Sequence, residues 1–68
     1  MRLADFKLID HTHGILSWKI IERIQKTLES IPKNSIKYFS STIKQNRNLS
    51  IVVDMDIPKR EITINLNR

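Results

Sequence analysis

The sequence lacks cysteine and has only one glycine and two prolines among its 68 residues. Without cysteine, neither a disulfide nor a thiolate zinc site can support so short a chain. A single glycine excludes a glycine-rich phosphate-binding loop and the Gly-x-Ser-x-Gly turn of serine hydrolases. The length also excludes a βαβ enzyme domain or a barrel. We therefore expect a protein that is not an enzyme and that needs no cofactor.

Long apolar runs are missing as well. No run approaches the roughly 20 residues of a membrane span, and residues 1–5 lack the apolar core of a signal peptide. Hydrophobic residues make up 40% of the chain and charged residues 28%, which is typical of a globular domain rather than of a disordered segment. These features predict one cytoplasmic domain over residues 1–68, with no membrane partner.

A helix is the clearest element that is present. Gly14 bounds its start, Thr12 or Ser17 is a candidate cap, and Pro32 disfavours helical geometry at the residue before it. Apolar residues recur at three- and four-residue steps, which indicates an amphipathic helix over residues 15–31. These apolar residues are Leu16, Ile20, Ile21, Ile24, Leu28 and Ile31.

A hairpin is predicted at the C-terminal end. Apolar side chains occupy every odd position from Leu49 to Ile57, and alternation of period two is typical of a half-buried strand. The alternation resumes over residues 61–67 after Pro58. Because proline presets φ for the first central position of a turn, residues 57–60 are predicted to form a type I turn with a bulge as an added option.

Two further segments complete the fold. Residues 2–10 alternate well enough to predict a strand. Residues 35–44 have Ile36, Phe39 and Ile43 at helical spacing, but β-prone residues dominate the segment. We interpret it as a strand and keep a second helix as the alternative. The prediction is an α+β fold with one helix packed on an antiparallel sheet, in the order β-α-β-β-β, or β-α-α-β-β in the alternative.

The width of this sheet predicts self-association. Four strands span about 19 Å, whereas one helix is about 10–12 Å across, so part of the apolar sheet should stay uncovered. Uncovered apolar surface and open strand edges favour pairing with another chain. We therefore expect a homodimer.

Positive charge is concentrated in the second half of the chain. The net charge is +1 over residues 1–32 and +4 over residues 33–68, and no acidic residue lies between Glu29 and Asp54. A basic stretch at 33–47 with Tyr38 and Phe39 suits nucleic acid, because cations meet phosphates and aromatic rings stack on bases. The simpler interpretation is that these cations aid solubility. The candidate nucleic-acid-binding residues are Lys33, Lys37, Lys44, Arg47, Lys59 and Arg60.

One cluster could hold a metal ion. His11 and His13 share a face if they lie on a strand, and Asp54 and Asp56 share a face of another strand. The alternative is an exposed turn and a solvated strand face. Because no pattern fixes a third ligand beside the histidines, we expect no bound metal. If the cluster did bind one, the protein would be a small metal-dependent hydrolase or nuclease.

The leading hypothesis is a small binding protein that regulates or inhibits a larger protein, or a protein–nucleic acid assembly, by protein–protein contact. Modulators of this kind occur among cytosolic and phage-encoded proteins. Trp18, Tyr38 and Phe39 are the candidate contact residues, because aromatic side chains anchor many interfaces. Trp18 lies at the border of the helical stripe, where packing against the sheet is the more common outcome. Direct nucleic-acid binding is the alternative function.

Overall fold

The computed structural model describes residues 1–67. They form a 3-10 turn at Leu3–Asp5, β1 at Lys7–Asp10, α1 at Trp18–Ser30, β2 at Tyr38–Asn46, β3 at Leu49–Asp56 and β4 at Glu61–Asn67. The α+β class and the order β-α-β-β-β are confirmed. Residues 35–44 contribute to a strand, so the alternative with a second helix is wrong.

The sheet is mixed rather than wholly antiparallel. Its strand order is β1-β4-β3-β2, and β1 runs parallel to β4 while the other neighbours are antiparallel. The parallel pair arises because α1 carries the chain back along the sheet between β1 and the three-stranded meander. Both ends of the order, β1 and β2, are edge strands.

The helix is shorter than the predicted 15–31, and the first strand is shorter than 2–10. Ser17 occupies the N-cap position, although its side chain makes no capping hydrogen bond. The first strand is shortened because Leu3–Asp5 turns over and docks on α1. There Gln25 accepts a hydrogen bond from the Leu3 amide at 2.8 Å and donates one to the Met1 carbonyl at 3.0 Å.

The turn between β3 and β4 forms where it was predicted. The Arg60 amide donates to the Ile57 carbonyl at 3.2 Å, with Pro58 between them. Arg60 itself has a φ of 55°, the left-handed geometry of a bulge residue that follows a type I turn. Its guanidinium lies over the ring of Phe6, 5.4 Å from the centroid.

The core lies between α1 and one face of the sheet. Ile20, Ile24 and Leu28 point inwards from the helix. The sheet meets them with buried side chains, namely Ile43, Ile51, Val53, Met55, Ile62 and Ile64, and the turn between β3 and β4 adds Ile57. As the width argument predicts, the outer strands are less well covered than the middle ones, since Leu8 on β1 is 38% exposed and Phe39 on β2 is half-buried. Phe6 is buried with the core, and partly buried Met1, Leu3, Leu16, Phe39 and Leu66 fill the flanks that α1 does not reach.

The opposite face of the sheet is polar. The registers place Ser40, Asp54 and Thr63 in one row across it, and Tyr38, Asp56 and Glu61 in the next. Val52, which interrupts the alternation of β3, faces this side and is half-buried between Thr42 and Asn65.

None of the helices within residues 1–67 is both long and apolar enough to cross a membrane.

Ile24→Ala and Ile51→Ala should each lower the free energy of unfolding by about 2–5 kcal/mol, because each leaves a cavity in the core. The two side chains are 1% and 0% exposed. Ile36→Ala is the control, since Ile36 is 82% exposed and its loss should change stability by less than about 0.5 kcal/mol. Urea denaturation of the three variants measures the differences, and equal stabilities would contradict the assigned core.

Candidate functional site

The two edges of the sheet differ in how well they are protected. An edge strand exposes unpaired amide and carbonyl groups, and proteins usually block such edges with short strands, charges, proline or bulges. β1 has only four residues, two of which are Lys7 and Asp10. β2 has nine residues and pairs with β3 alone. The long β2 strand is therefore the edge that is open to another chain.

The first part of β2 carries almost none of the usual protection. Tyr38–Ile43 contains no charge, proline or glycine, and the register with β3 is irregular only between Lys44 and Asn46. We call the regular part, Tyr38–Lys44, the β2 edge. Neutral stretches of aromatic, β-branched and hydroxyl residues pair readily with other strands. The sequence contained this signal, since residues 38–43 lie uncharged between Lys37 and Lys44, but only Tyr38 and Phe39 of this segment were predicted to be contact residues.

Side chains of the β2 edge alternate between the two sheet faces. Phe39, Ser41 and Ile43 lie on the helix side, opposite Met55, Val53 and Ile51 of β3. The β3 side chains are buried, whereas Phe39 and Ser41 are only half-buried. The helix side of the β2 edge is therefore incompletely covered, and Phe39 has apolar surface available for a neighbour.

On the polar face, Tyr38 and Ser40 gather around Asp54. The Ser40 hydroxyl donates to the Asp54 carboxylate at 2.9 Å. Tyr38 is 61% exposed. The pKa of Tyr38 is raised, first because its hydroxyl loses water. The negative charge of Asp54, the hydrogen bond with Asp54 and the negative charge of Asp56 raise this pKa further. The phenol therefore stays protonated at neutral pH, and it presents a large ring at the start of the β2 edge.

The three predicted contact residues do not form one surface. Trp18 is 72% exposed at the first position of α1, so it does not pack against the sheet. α1 is about 20 Å long, and it separates Trp18 from the loop that leads to Tyr38 and Phe39. That loop carries another exposed apolar side chain, Ile36, which was not among the predicted contact residues. Tyr38 and Phe39 belong to the β2 edge, whereas Trp18 lies apart from it.

The six candidate nucleic-acid-binding cations are also dispersed. Lys44 lies at the end of β2 and Arg47 in the following turn, about 20 Å along the strand from Tyr38. Lys59 and Arg60 lie in the turn at the other end of the sheet, next to Asp56 and Glu61. The remaining two, Lys33 and Lys37, are in the loop between α1 and β2.

The end of the sheet at the turn between β2 and β3 combines cations with uncharged polar side chains. A shallow depression there is lined by Arg47, Asn48, Leu49, Ser50 and Asn67. Lys44 lies opposite Ser50. This end is cationic, and its amide and hydroxyl side chains can donate and accept hydrogen bonds.

The candidate metal ligands are held on two different elements. His11 and His13 are exposed in the turn after β1, and His13 adopts a φ of 57°. Asp54 and Asp56 lie on the polar face of β3, and β4 stands between β3 and β1. No group of three or more histidine or acidic residues within 1–67 is placed to hold a metal ion.

The turn that carries the histidines is built on Asp10 and Thr12. The Asp10 carboxylate accepts from the Thr12 amide at 2.8 Å and from the Thr12 hydroxyl at 2.6 Å. Thr12 is fully buried, and its hydroxyl oxygen accepts from the Leu16 amide at 3.2 Å. Gly14, with a φ of 91°, completes the reversal. These bonds join the end of β1 to the approach of α1 and serve a structural role.

Comparison of the chain with known protein families, with curated proteins and with solved structures finds no match in any of the three. The geometry of the chain itself is therefore the basis for the functional proposal.

The Asp10 turn should make stability sensitive to acid. Hydrogen bonds from the Thr12 hydroxyl and amide lower the pKa of Asp10. A lowered folded-state pKa stabilises the fold at pH values above the unfolded pKa, near 4, and this contribution disappears as pH falls through the folded value. Wild type should therefore exceed Asp10→Asn in Tm at pH 7, and the difference should shrink below about pH 4.

The matched control for this experiment is Asp5→Asn. The Asp5 carboxylate takes part in no side-chain hydrogen bond within residues 1–67, and Asp5 is exposed. Thermal melts between pH 2 and pH 7 measure both variants. A difference between wild type and Asp10→Asn that is constant over this range would contradict the role of the Asp10 carboxylate.

Proposed function

We propose that this protein is a small non-enzymatic binding protein that regulates or inhibits a larger protein by protein–protein contact at the β2 edge. The observation that carries the proposal is the long unpaired edge with an uncharged regular segment at Tyr38–Ile43. The mode of contact is strand addition, in which backbone hydrogen bonds give affinity and alternate side chains give selectivity.

The side chains of the β2 edge suit this mode. Phe39 offers half-buried apolar surface on the helix side, and Tyr38 offers an exposed ring on the polar side. Aromatic residues of this kind are common anchors at interfaces. Lys44 and the irregular pairing after it limit the usable edge to about seven residues, which is long enough for a partner strand of ordinary length.

Nucleic-acid binding is the second candidate function, and the cations at the turn between β2 and β3 favour it. Lys44 and Arg47 supply positive charge there, and Asn48 and Asn67 supply amide groups. The mechanism is electrostatic attraction to phosphates with hydrogen bonds to exposed bases. Protein binding ranks first because an uncharged edge needs a covering chain, whereas cations at a turn are also explained by solubility.

Ser41→Lys should abolish binding of the partner protein. A lysine that points inwards from an edge strand blocks the approach of another strand. Leu8→Lys is the matched control, because it adds the same charge to the other edge of the sheet, where Leu8 is 38% exposed. The three proteins are immobilised, exposed to lysate of the source organism and compared by mass spectrometry, after melts confirm that each is folded.

The proposal requires a partner that wild type and Leu8→Lys retain and Ser41→Lys loses. Equal capture by all three proteins, or loss with Leu8→Lys alone, contradicts the assignment to the β2 edge.

If the protein binds nucleic acid instead, its affinity should depend on salt concentration and on the cations Lys44 and Arg47. Lys44→Gln combined with Arg47→Gln should weaken binding of a single-stranded oligonucleotide and reduce the salt dependence of log K by about two times the per-phosphate slope of roughly 0.7. Lys19→Gln with Arg23→Gln removes the same charge from the exposed side of α1. Fluorescence anisotropy over a salt series measures both. Equal losses in the two double variants would show general charge attraction and reject this site.

A further inference from the structure

We infer that the β2 edge pairs with the β2 edge of a second copy of this chain, antiparallel, with Ser41 on the two-fold axis. This inference rests on the proposed function: the same edge pairs with a second copy in the free protein, and a larger partner binds there by displacing that copy. It follows from how the side chains of Tyr38–Lys44 match one another when the segment is reversed.

Symmetry restricts the registers that need to be compared. In an antiparallel pair, side chains directly opposite each other lie on the same face of the sheet. Helix-side residues of one copy must therefore lie opposite helix-side residues of the other copy. The central residue of the paired segment then lies opposite the same residue of the other copy, with the two-fold axis between them. Three centres keep most of the regular segment paired, namely Ser40, Ser41 and Thr42.

The centre at Ser41 matches chemistry at every position. On the helix side, Phe39 lies opposite Ile43 of the partner subunit, which joins an aromatic and a β-branched side chain. On the polar side, Tyr38 lies opposite Lys44 of the partner subunit, where the ammonium can approach the ring. Ser40 lies opposite Thr42 of the partner subunit, and two hydroxyl side chains can share a hydrogen bond.

The neighbouring centres match poorly. With Thr42 on the axis, Phe39 lies opposite Gln45 of the partner subunit, and Ile43 lies opposite a serine. With Ser40 on the axis, Ile43 lies opposite Lys37 of the partner subunit, so a cation meets a residue that is buried in this structure. Both arrangements leave apolar surface against polar groups, which costs free energy.

The structure also leaves room for a second copy. Side chains beneath α1 at the centre of the sheet, on β3 and β4, are fully buried, whereas Phe39 and Ser41 on β2 are half-buried. The helix thus covers the middle strands and leaves the β2 side open. The regular segment begins at Tyr38, three residues before Ser41, and ends at Lys44, three residues after Ser41. The available edge is therefore symmetric about Ser41.

Cysteine cross-linking tests the register directly, because the natural chain has no cysteine. Ser41→Cys should form a disulfide-linked dimer on oxidation, because a disulfide needs the two side chains directly opposite each other. Ser40→Cys and Thr42→Cys should each cross-link weakly alone but should form a mixed dimer when combined, since those positions oppose each other. Light scattering of the untreated protein should give twice the chain mass of 8.0 kDa.

Two variants with opposite charges at Ser41 provide a second test that needs no cross-link. Ser41→Lys and Ser41→Glu should each be monomeric, because like charges meet on the axis, and an equal mixture should form a heterodimer. A monomeric wild type, efficient cross-linking of Thr42→Cys alone, or no rescue by the mixture overturns the inferred register. The proposed function is tested by a different result, namely whether Ser41→Lys loses a captured partner that Leu8→Lys retains.

Discussion

The structure depends on one contact, the apolar stripe of α1 against the two middle strands of the sheet. Ile20, Ile24 and Leu28 meet β3 and β4, where the side chains are fully buried. A single helix covers about two strands, so the outer strands must be completed in other ways. On the β1 side, the N-terminal segment docks through Gln25 and adds Met1 and Leu3 to the core. On the β2 side no segment within residues 1–67 does the same, which leaves Phe39 and Ser41 half-buried.

Local patterns predicted the elements that depend on neighbours in sequence. The periodicity from Leu16 to Ile31 indicated the helix, and alternation on both sides of Pro58 indicated the β3–β4 hairpin, because each pattern reports burial of one face of one element. Residues 35–44 were harder, since Ile36, Phe39 and Ile43 also suit a helix. This segment forms a strand because it pairs with β3. Ile36 lies outside the strand, and its side chain is exposed to water.

Features that depend on distant contacts could not be predicted from the sequence. The parallel pairing of β1 with β4 joins the two ends of the chain, and the 3-10 turn at Leu3–Asp5 exists because Gln25 binds its backbone. The candidate site was predicted only in part: Tyr38 and Phe39 are on the β2 edge, whereas Ser41 was not singled out because a serine in a strand carries no chemical signature.

The asymmetry between the two edges bears on how a chain of this size can remain stable and selective. A small domain has little stability to spare, and an edge strand contributes less when one side of it is solvated. The proposed strand addition at β2 would couple binding to the order of the strand itself, because a partner that supplies backbone hydrogen bonds also stabilises the fold by mass action. The polar sheet face and the short β1 edge disfavour competing contacts. In that proposal, selectivity depends on the few side chains that alternate along Tyr38–Lys44.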